Sequence, residues 1–377
     1  MTAPVGRTPV DAARALDPLI REHAAEGEEL RHLPTPVAEA LRDAGLFRLC
    51  LPAVYGGPEC DPMTLVRTIA AVAEADGAAG WCVMIASTTS SLAARLAPDW
   101  ASAIFGDPAS VAGGVFAPNG TGRRVEGGHR VSGQWPWGSG TSHCTWILGG
   151  TQTDGGEFHL MFAPAADVEL LDTWYASGLK ATGSTDFRMT DVFVPDGRSV
   201  QPFAGRLEVD APIGRFPNFN LRAAGVAAAA LGIARRAVDE IVALAQGKTP
   251  LFSSKTLAAS SLAQMDIARA EGAVGAATAF LLDELSVAWD AVLAGGHIPL
   301  DQRARVRIAC SHAVQEAARA VDLAYHLGGG SSVYSANVLQ RCFRDVHTVT
   351  QHLMVSTRIF ETAGKVMLGI DVDTSAL

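Results

Sequence analysis

A chain of 377 residues is longer than one hydrophobic core usually serves, so two or three packed units are expected. Apolar residues make up 48% and charged residues only 18%, which excludes a disordered chain and suits a well-buried enzyme. A formal net charge of −9 excludes general affinity for nucleic acid or an anionic membrane, since both require basic surfaces.

Residues 1–109 read as a helical domain. Its start lacks a basic segment followed by a continuous apolar run, so no secretory signal is expected. Leu16, Leu19 and Ile20 recur at helical spacing, and Pro34 and Pro36 sit where prolines open a helix. A further helix should follow Asp61-Pro62 and run through Leu65, Val66 and Ile69. Pro98-Asp99 starts a short one that carries Trp100 and Phe105 and ends at Gly106-Asp107-Pro108.

Residues 110–212 change texture. Gly113-Gly114, Asn119-Gly120, Gly127-Gly128 and Gly155-Gly156 separate short runs of β-formers such as His129–Val131, Thr145–Leu148 and Phe158–Phe162. This spacing predicts a small β-barrel or sandwich. Residues 213–377 are helical again, with long helices expected at about 219–246, 255–293, 299–327 and 336–368 and glycine- or proline-rich breaks between them. Short links between four amphipathic helices predict an antiparallel four-helix bundle, which makes the chain α+β. The longest apolar stretch, Ala223–Ala234, is flanked by Arg222 and Arg235 and is too short to span a bilayer. A soluble cytoplasmic protein is the expectation.

The six cysteines form no C-x-x-C pair, and none lies at zinc-ligand spacing from a histidine, so no metal is expected. No Rossmann glycine fingerprint, Walker loop or nucleophile elbow is present, so reducing equivalents should come from a separate protein.

Three constellations could carry chemistry. In Gly133-Gln134-Trp135-Pro136-Trp137-Gly138-Ser139-Gly140, two indoles beside a Gly-Ser-Gly turn offer a flat apolar wall, backbone N–H groups and a hydroxyl. An isoalloxazine ring needs that combination; the plainer reading is a strand whose tryptophans fill a core. In Gly178–Asp186, Thr182-Gly183-Ser184 could expose successive donors to a phosphate or a flavin edge, or form an ordinary hairpin turn. On the last helix, Arg344, Thr348 and His352 share one ridge, with Asp345 close in angle. His347 and His352, five residues apart, point about 140° from each other and cannot chelate one metal. His352 is either a catalytic imidazole or a satisfied polar residue on a packed face.

Together these motifs resemble the acyl-CoA dehydrogenase superfamily over nearly the whole chain. The domain order of helical domain, β-barrel and four-helix bundle matches its fold. Gly133, Trp137 and Ser139 match the Gly-x-x-x-Trp-x-Ser/Thr strand that lies along the flavin, and Gly178–Ser184 followed by Phe193-Val194-Pro195 matches a second flavin-contacting segment, with Lys180 in place of an arginine. Where medium-chain type dehydrogenases carry their catalytic glutamate, eight residues after the Arg-Asp pair, this chain has Leu353, preceded by His352. The other known base position, at the start of the first bundle helix, falls on Arg222, which cannot take a proton.

The resemblance therefore points to the two-component, group D flavin-dependent monooxygenase branch. It implies reduced FMN or FAD delivered by a separate NAD(P)H-flavin reductase, reaction with O2 through a C4a-hydroperoxyflavin, and oxidation of a small aromatic or heteroatom substrate. Ser139 and Gly140 would lie near the flavin N5, Trp137 on its ring, Thr182, Gly183 and Ser184 on its edge. Arg222 would hold a reduced flavin or an anionic substrate, and Gly329 would reach a neighbouring subunit's nucleotide. Trp81 and His143 would line the substrate pocket, and His352 would assist oxygen transfer or substrate deprotonation. A homotetramer is implied. The alternative is an FAD-dependent acyl-CoA dehydrogenase with a displaced base, for which Glu240 and Glu361 are the candidates; a flavin-binding protein without turnover is a third reading.

Overall fold

The computed structural model describes residues 8–203 and 206–377. They divide into two compact units. One contains residues up to 65, then 81–176 and 180–218; the other contains 66–80, 177–179 and 219–377.

The first unit opens with α1 (Pro9–Ala15), α2 (Asp17–Leu30) and α3 (Thr35–Asp43). Thr8 and Asp11 cap α1 reciprocally, and all three helices place a proline in the first turn, where a missing N–H loses no bond. Helices α4 (Pro62–Ala75) and α5 (Gly77–Ser90) contribute to both units, and α6 (Pro98–Phe105) lies in the first.

The β region folds as one seven-stranded sheet: β1 (Ala112–Val125), β2 (Gly128–Gly138), β3 (Trp146–Thr153), β4 (Phe158–Pro164), β5 (Glu169–Leu171), β6 (Thr185–Pro195) and β7 (Ser199–Val200). The order is β5-β6-β2-β1-β3-β4-β7, with β1 antiparallel to β2 and parallel to β3. Trp135 is fully buried, stacks on Phe187 at 5.1 Å and donates its indole N–H to the Gly150 carbonyl at 2.8 Å. A Cβ at Gly120 or Gly149 would come within 2.3 or 2.6 Å of that indole, so the strands need glycine there. A second core, with Leu92, Ile104, Phe105, Leu148 and Phe162, joins α6 to the sheet. The short α7 (Pro212–Arg215) completes this unit.

The second unit is built on α8 (Asn218–Gly247), α9 (Ser261–Leu293), α10 (Leu300–Gly328), α11 (Val338–Thr350) and α12 (Arg358–Met367). Residues 220–234 of α8 are buried on every side, which its run of alanines permits by letting neighbours approach closely. Among the described residues, no helix is long and apolar enough to cross a membrane.

The fourth long helix departs from expectation. The sequence predicts one helix over 336–368, but α11 stops at Thr350 and α12 starts at Arg358. Thr348 and Thr350 turn their hydroxyls back onto the carbonyls of Arg344 and His347, at 2.8 and 2.7 Å, in a β-branched run that favours helix weakly. His352 then leaves the helical region at φ −73°, ψ 132°, and its Nδ1 accepts the Met354 N–H at 3.3 Å. That bond caps a short turn, Leu353–Val355. His352 is therefore not the third member of a helical ridge; it sits on the break.

Candidate active site

In the first unit, β2 is regular to Trp135, and its register against β6 then shifts before Gly138. The shift coincides with a left-handed backbone at Trp137, φ 65°, which costs a bulky residue on the order of 1–3 kcal/mol. The Trp137 indole is 68% exposed while that of Trp135 is fully buried, so the two expected wall residues separate into one core filler and one outward plate.

Ser139 follows, buried. Its Oγ accepts the Trp81 Nε1–H at 3.0 Å and lies 2.6 Å from Ser184 Oγ, which in turn lies 2.6 Å from Thr182 Oγ1. The Gly140 N–H donates to the Thr182 carbonyl at 2.8 Å and ties the two turns together. Helix α5, the end of β2 and the turn before β6 thus converge on one hydroxyl chain. Because the indole only donates, Ser139 keeps its own hydrogen for Ser184 or for a ligand. The backbone contributes less than the sequence implies: the N–H groups of Ser139 and Gly140 are already bonded, to Trp137 and Thr182 carbonyls. At Gly183, φ is 54° and a Cβ would come 3.1 Å from the Arg31 carbonyl, so only glycine suits that turn.

His143 lies beside this cluster. Its ring stacks on Phe47 at 5.0 Å and comes 3.2 Å from where a Gly140 Cβ would stand. Its Nδ1 is buried without a hydrogen-bond partner. Burial, with a smaller push from His32, lowers the imidazole to about 4, so it is neutral at ordinary pH.

In the second unit, His352 is half-buried by area yet crowded enough that burial, then Arg307 and Arg222, lower its imidazole to about 4. Since Nδ1 accepts the Met354 N–H, the neutral ring carries its proton on Nε2 and presents a donor there. Arg222 is buried at the start of α8. Gly329 ends α10 at φ 52°, beside Lys248, whose ammonium holds the Gly328 carbonyl and Ser331 Oγ.

The Arg344-Asp345 pair has a structural task. Arg344 Nη1 donates to the Ser177 carbonyl and Asp345 Oδ1 accepts the Leu179 N–H, both at 2.6 Å. Between them a Cβ at Gly178 would lie 2.2 Å from the Arg344 carbonyl. The pair clamps residues 177–179 against α11. Neither displaced-base candidate is poised for proton abstraction: Glu240 pairs with Arg236 at 2.7 Å, and the exposed Glu361 pairs with Lys365 at 2.6 Å. Leu353 is 73% exposed.

Sequence reasoning missed two elements. The Trp81 N–H holds Ser139, a bond that a residue on a separate helix does not announce in the sequence. Arg307 carried no signal, being one arginine among several on α10.

The family model "Acyl-CoA dehydrogenase, N-terminal domain" matches residues 11–98, and "Acyl-CoA dehydrogenase, C-terminal domain" matches 224–357. Indole-3-acetate monooxygenase of Pseudomonas putida is 32% identical over 93% of this chain and 91% of its own. The oxygenase subunit HsaA of a flavin-dependent monooxygenase from Rhodococcus jostii is 30% identical, covering 90% of this chain and 92% of its own. XiaF from Streptomyces sp., solved with FADH2 and glycerol, superposes with a TM-score of 0.89 at 26% identity, over 96% of this chain and 95% of its own. Matches of this extent define a flavoprotein scaffold of acyl-CoA dehydrogenase type. The chain belongs to the acyl-CoA dehydrogenase superfamily, in its branch of flavin-dependent monooxygenases, and the dehydrogenase alternative gives way.

Proposed function

We propose that this protein is the oxygenase component of a two-component system. It takes reduced FMN or FAD from a separate NAD(P)H-flavin reductase and uses O2 to hydroxylate or oxidise a small aromatic or heteroatom substrate. The observation that carries the reading is the Trp81–Ser139–Ser184–Thr182 chain beside the outward indole of Trp137. A flat apolar plate and an edge of hydroxyls fit a flavin's ring and polar edge, and the buried, partnerless Nδ1 of His143 would face the substrate. The reductase is supported by the name of the Rhodococcus relative, an oxygenase subunit.

The reduced flavin, when bound, supplies the two electrons that let O2 give one oxygen atom to substrate and the other to water. The chain's residues do the rest. Trp137 would pack on the ring, and Ser139, which accepts the Trp81 N–H, would offer its own hydrogen to the flavin's polar edge. Ser184 and Thr182 would fix that hydrogen, Gly140 and Gly183 shape the turns, and Arg222 would hold a reduced flavin or an anionic substrate. His352, with its proton on Nε2, would hold that proton for the oxygen being transferred; its neutral state would make it a donor rather than a strong acid. Gly329 would approach the nucleotide of a neighbouring subunit in a cytoplasmic homotetramer, which light scattering tests.

The deciding experiment mixes pre-reduced FMN or FAD, O2 and a panel of aromatic acids with the protein, and measures oxygenated product against hydrogen peroxide. Product formed in excess of peroxide supports the reading. Peroxide alone across the panel, or bleaching of bound flavin by an acyl-CoA under anaerobic conditions, would sink it.

A further inference from the structure

Arg307 lies on α10 and is 1% exposed, among the largest fully enclosed side chains of the protein. A buried guanidinium gives up its hydration, and its surroundings must compensate with hydrogen bonds. No carboxylate among the described residues pairs with it. Instead Nη2 donates to the Met354 carbonyl at 2.8 Å and Nη1 to the Ala376 carbonyl at 2.6 Å. Met354 is the pivot: its N–H holds His352 Nδ1, and its carbonyl is held by Arg307. The segment around Ala376 is itself anchored, because Leu377 is buried against Ala304 and Ala363.

We propose that Arg307 is a positioning residue for His352, gripping the capped turn through Met354 and so fixing which ring nitrogen is offered for chemistry. This rests on the assignment of His352 to oxygen transfer. The grip explains how an imidazole on a helix break keeps one orientation, where an ungripped turn of three residues would sample several. Burial chiefly disfavours the imidazolium, and Arg307 and Arg222 from α8 add positive charge by the ring.

Histidine-selective 15N labelling of the full-length protein tests the proposal without turnover, with His352→Asn assigning the resonance. In the parent protein His352 should show protonated Nε2, bare Nδ1 and no titration above pH 6. In Arg307→Met the ring should exchange between tautomers and titrate at a higher pH than in the parent, and peroxide released per reduced flavin should rise severalfold. If that variant does not fold, Arg307→Lys keeps the charge but not the planar fork, and should show the tautomer exchange with a smaller titration shift. A His352 spectrum and titration unchanged by either variant overturns the proposal. If the spectrum shifts while the parent protein makes no oxygenated product, the positioning stands and the monooxygenase reading of His352 falls.

Discussion

The two imidazoles of interest, His143 in the sheet-bearing unit and His352 in the helical unit, are both lowered to about 4, yet they are prepared differently. His143 is held by stacking on Phe47 and has a buried Nδ1 with no partner, so its tautomer is open to a ligand. His352 has its Nδ1 committed to the Met354 N–H, so its tautomer is set before anything binds. Stacking restrains a ring's plane, whereas a hydrogen bond decides where its proton goes. On the proposed function, that difference would separate a residue that adapts to a ligand from one that acts on it, and substitution can break it.

The largest effect is expected at His352. Asparagine there can still accept the Met354 N–H, as it does in Asx turns, but presents no ring nitrogen. His352→Asn should keep its melting temperature while coupled product formation falls about 10²- to 10³-fold, the range for a lost general acid or donor. Measuring product and peroxide together checks it; unchanged coupling would return His352 to a packing role. His143→Asn, by contrast, should alter the substrate concentration needed more than the limiting rate.

Ser139→Ala should lower product per reduced flavin about 10- to 100-fold, with the difference appearing as peroxide. Trp81→Phe should follow in the same direction but more weakly, because the hydroxyl remains and only its fixed orientation is lost. Equal behaviour of the two variants would mean that Ser139 acts only as a link in the fold.

Next is the clamp. Asp345→Ala orphans the buried Leu179 N–H and should destabilise the protein by about 2 kcal/mol in denaturant titration, leaving the specific activity of folded protein near normal. A loss of activity without a loss of stability would give the carboxylate a chemical role that its geometry does not indicate.

How much of this was legible in the sequence depends on distance along the chain. The hydroxyl chain was legible because Gly138-Ser139-Gly140 and Thr182-Gly183-Ser184 are contiguous motifs whose turn chemistry shows in the residues themselves. The register shift that exposes Trp137 was not, because alternation alone would place Trp135 and Trp137 on the same face. Position singles out His352 in the sequence but not its setting on a helix break, since periodicity runs through Thr348 and Thr350 without marking the carbonyl bonds that end α11. Arg307 was invisible because its partners lie 47 and 69 residues away and are backbone carbonyls, which have no sequence signature.

A smaller effect comes from pH. Both imidazoles titrate near 6.5 in an unfolded chain and near 4 in the folded protein, so between those values the unfolded state binds more protons. Stability should therefore be constant above about pH 7 and decline as pH falls through 6.5 toward 4. Given the partial exposure of both rings, each should contribute on the order of 1 kcal/mol. Replacing either histidine with asparagine should flatten its share of the decline.

The smallest expected effect opposes two properties at one residue. Trp137 holds a left-handed backbone that glycine adopts without strain, but glycine also loses more chain entropy on folding. Trp137→Gly should therefore change stability by only about 1 kcal/mol or less, in the stabilising direction. Its indole is mostly exposed, so little core packing is forfeited. If that outward plate exists to carry the flavin ring, the same variant should bind reduced flavin about tenfold more weakly, by equilibrium titration under anaerobic conditions. Gain in stability with loss of affinity would show strain retained for binding. Loss of stability with unchanged affinity would make Trp137 an ordinary packing residue and move the ring elsewhere on the unit.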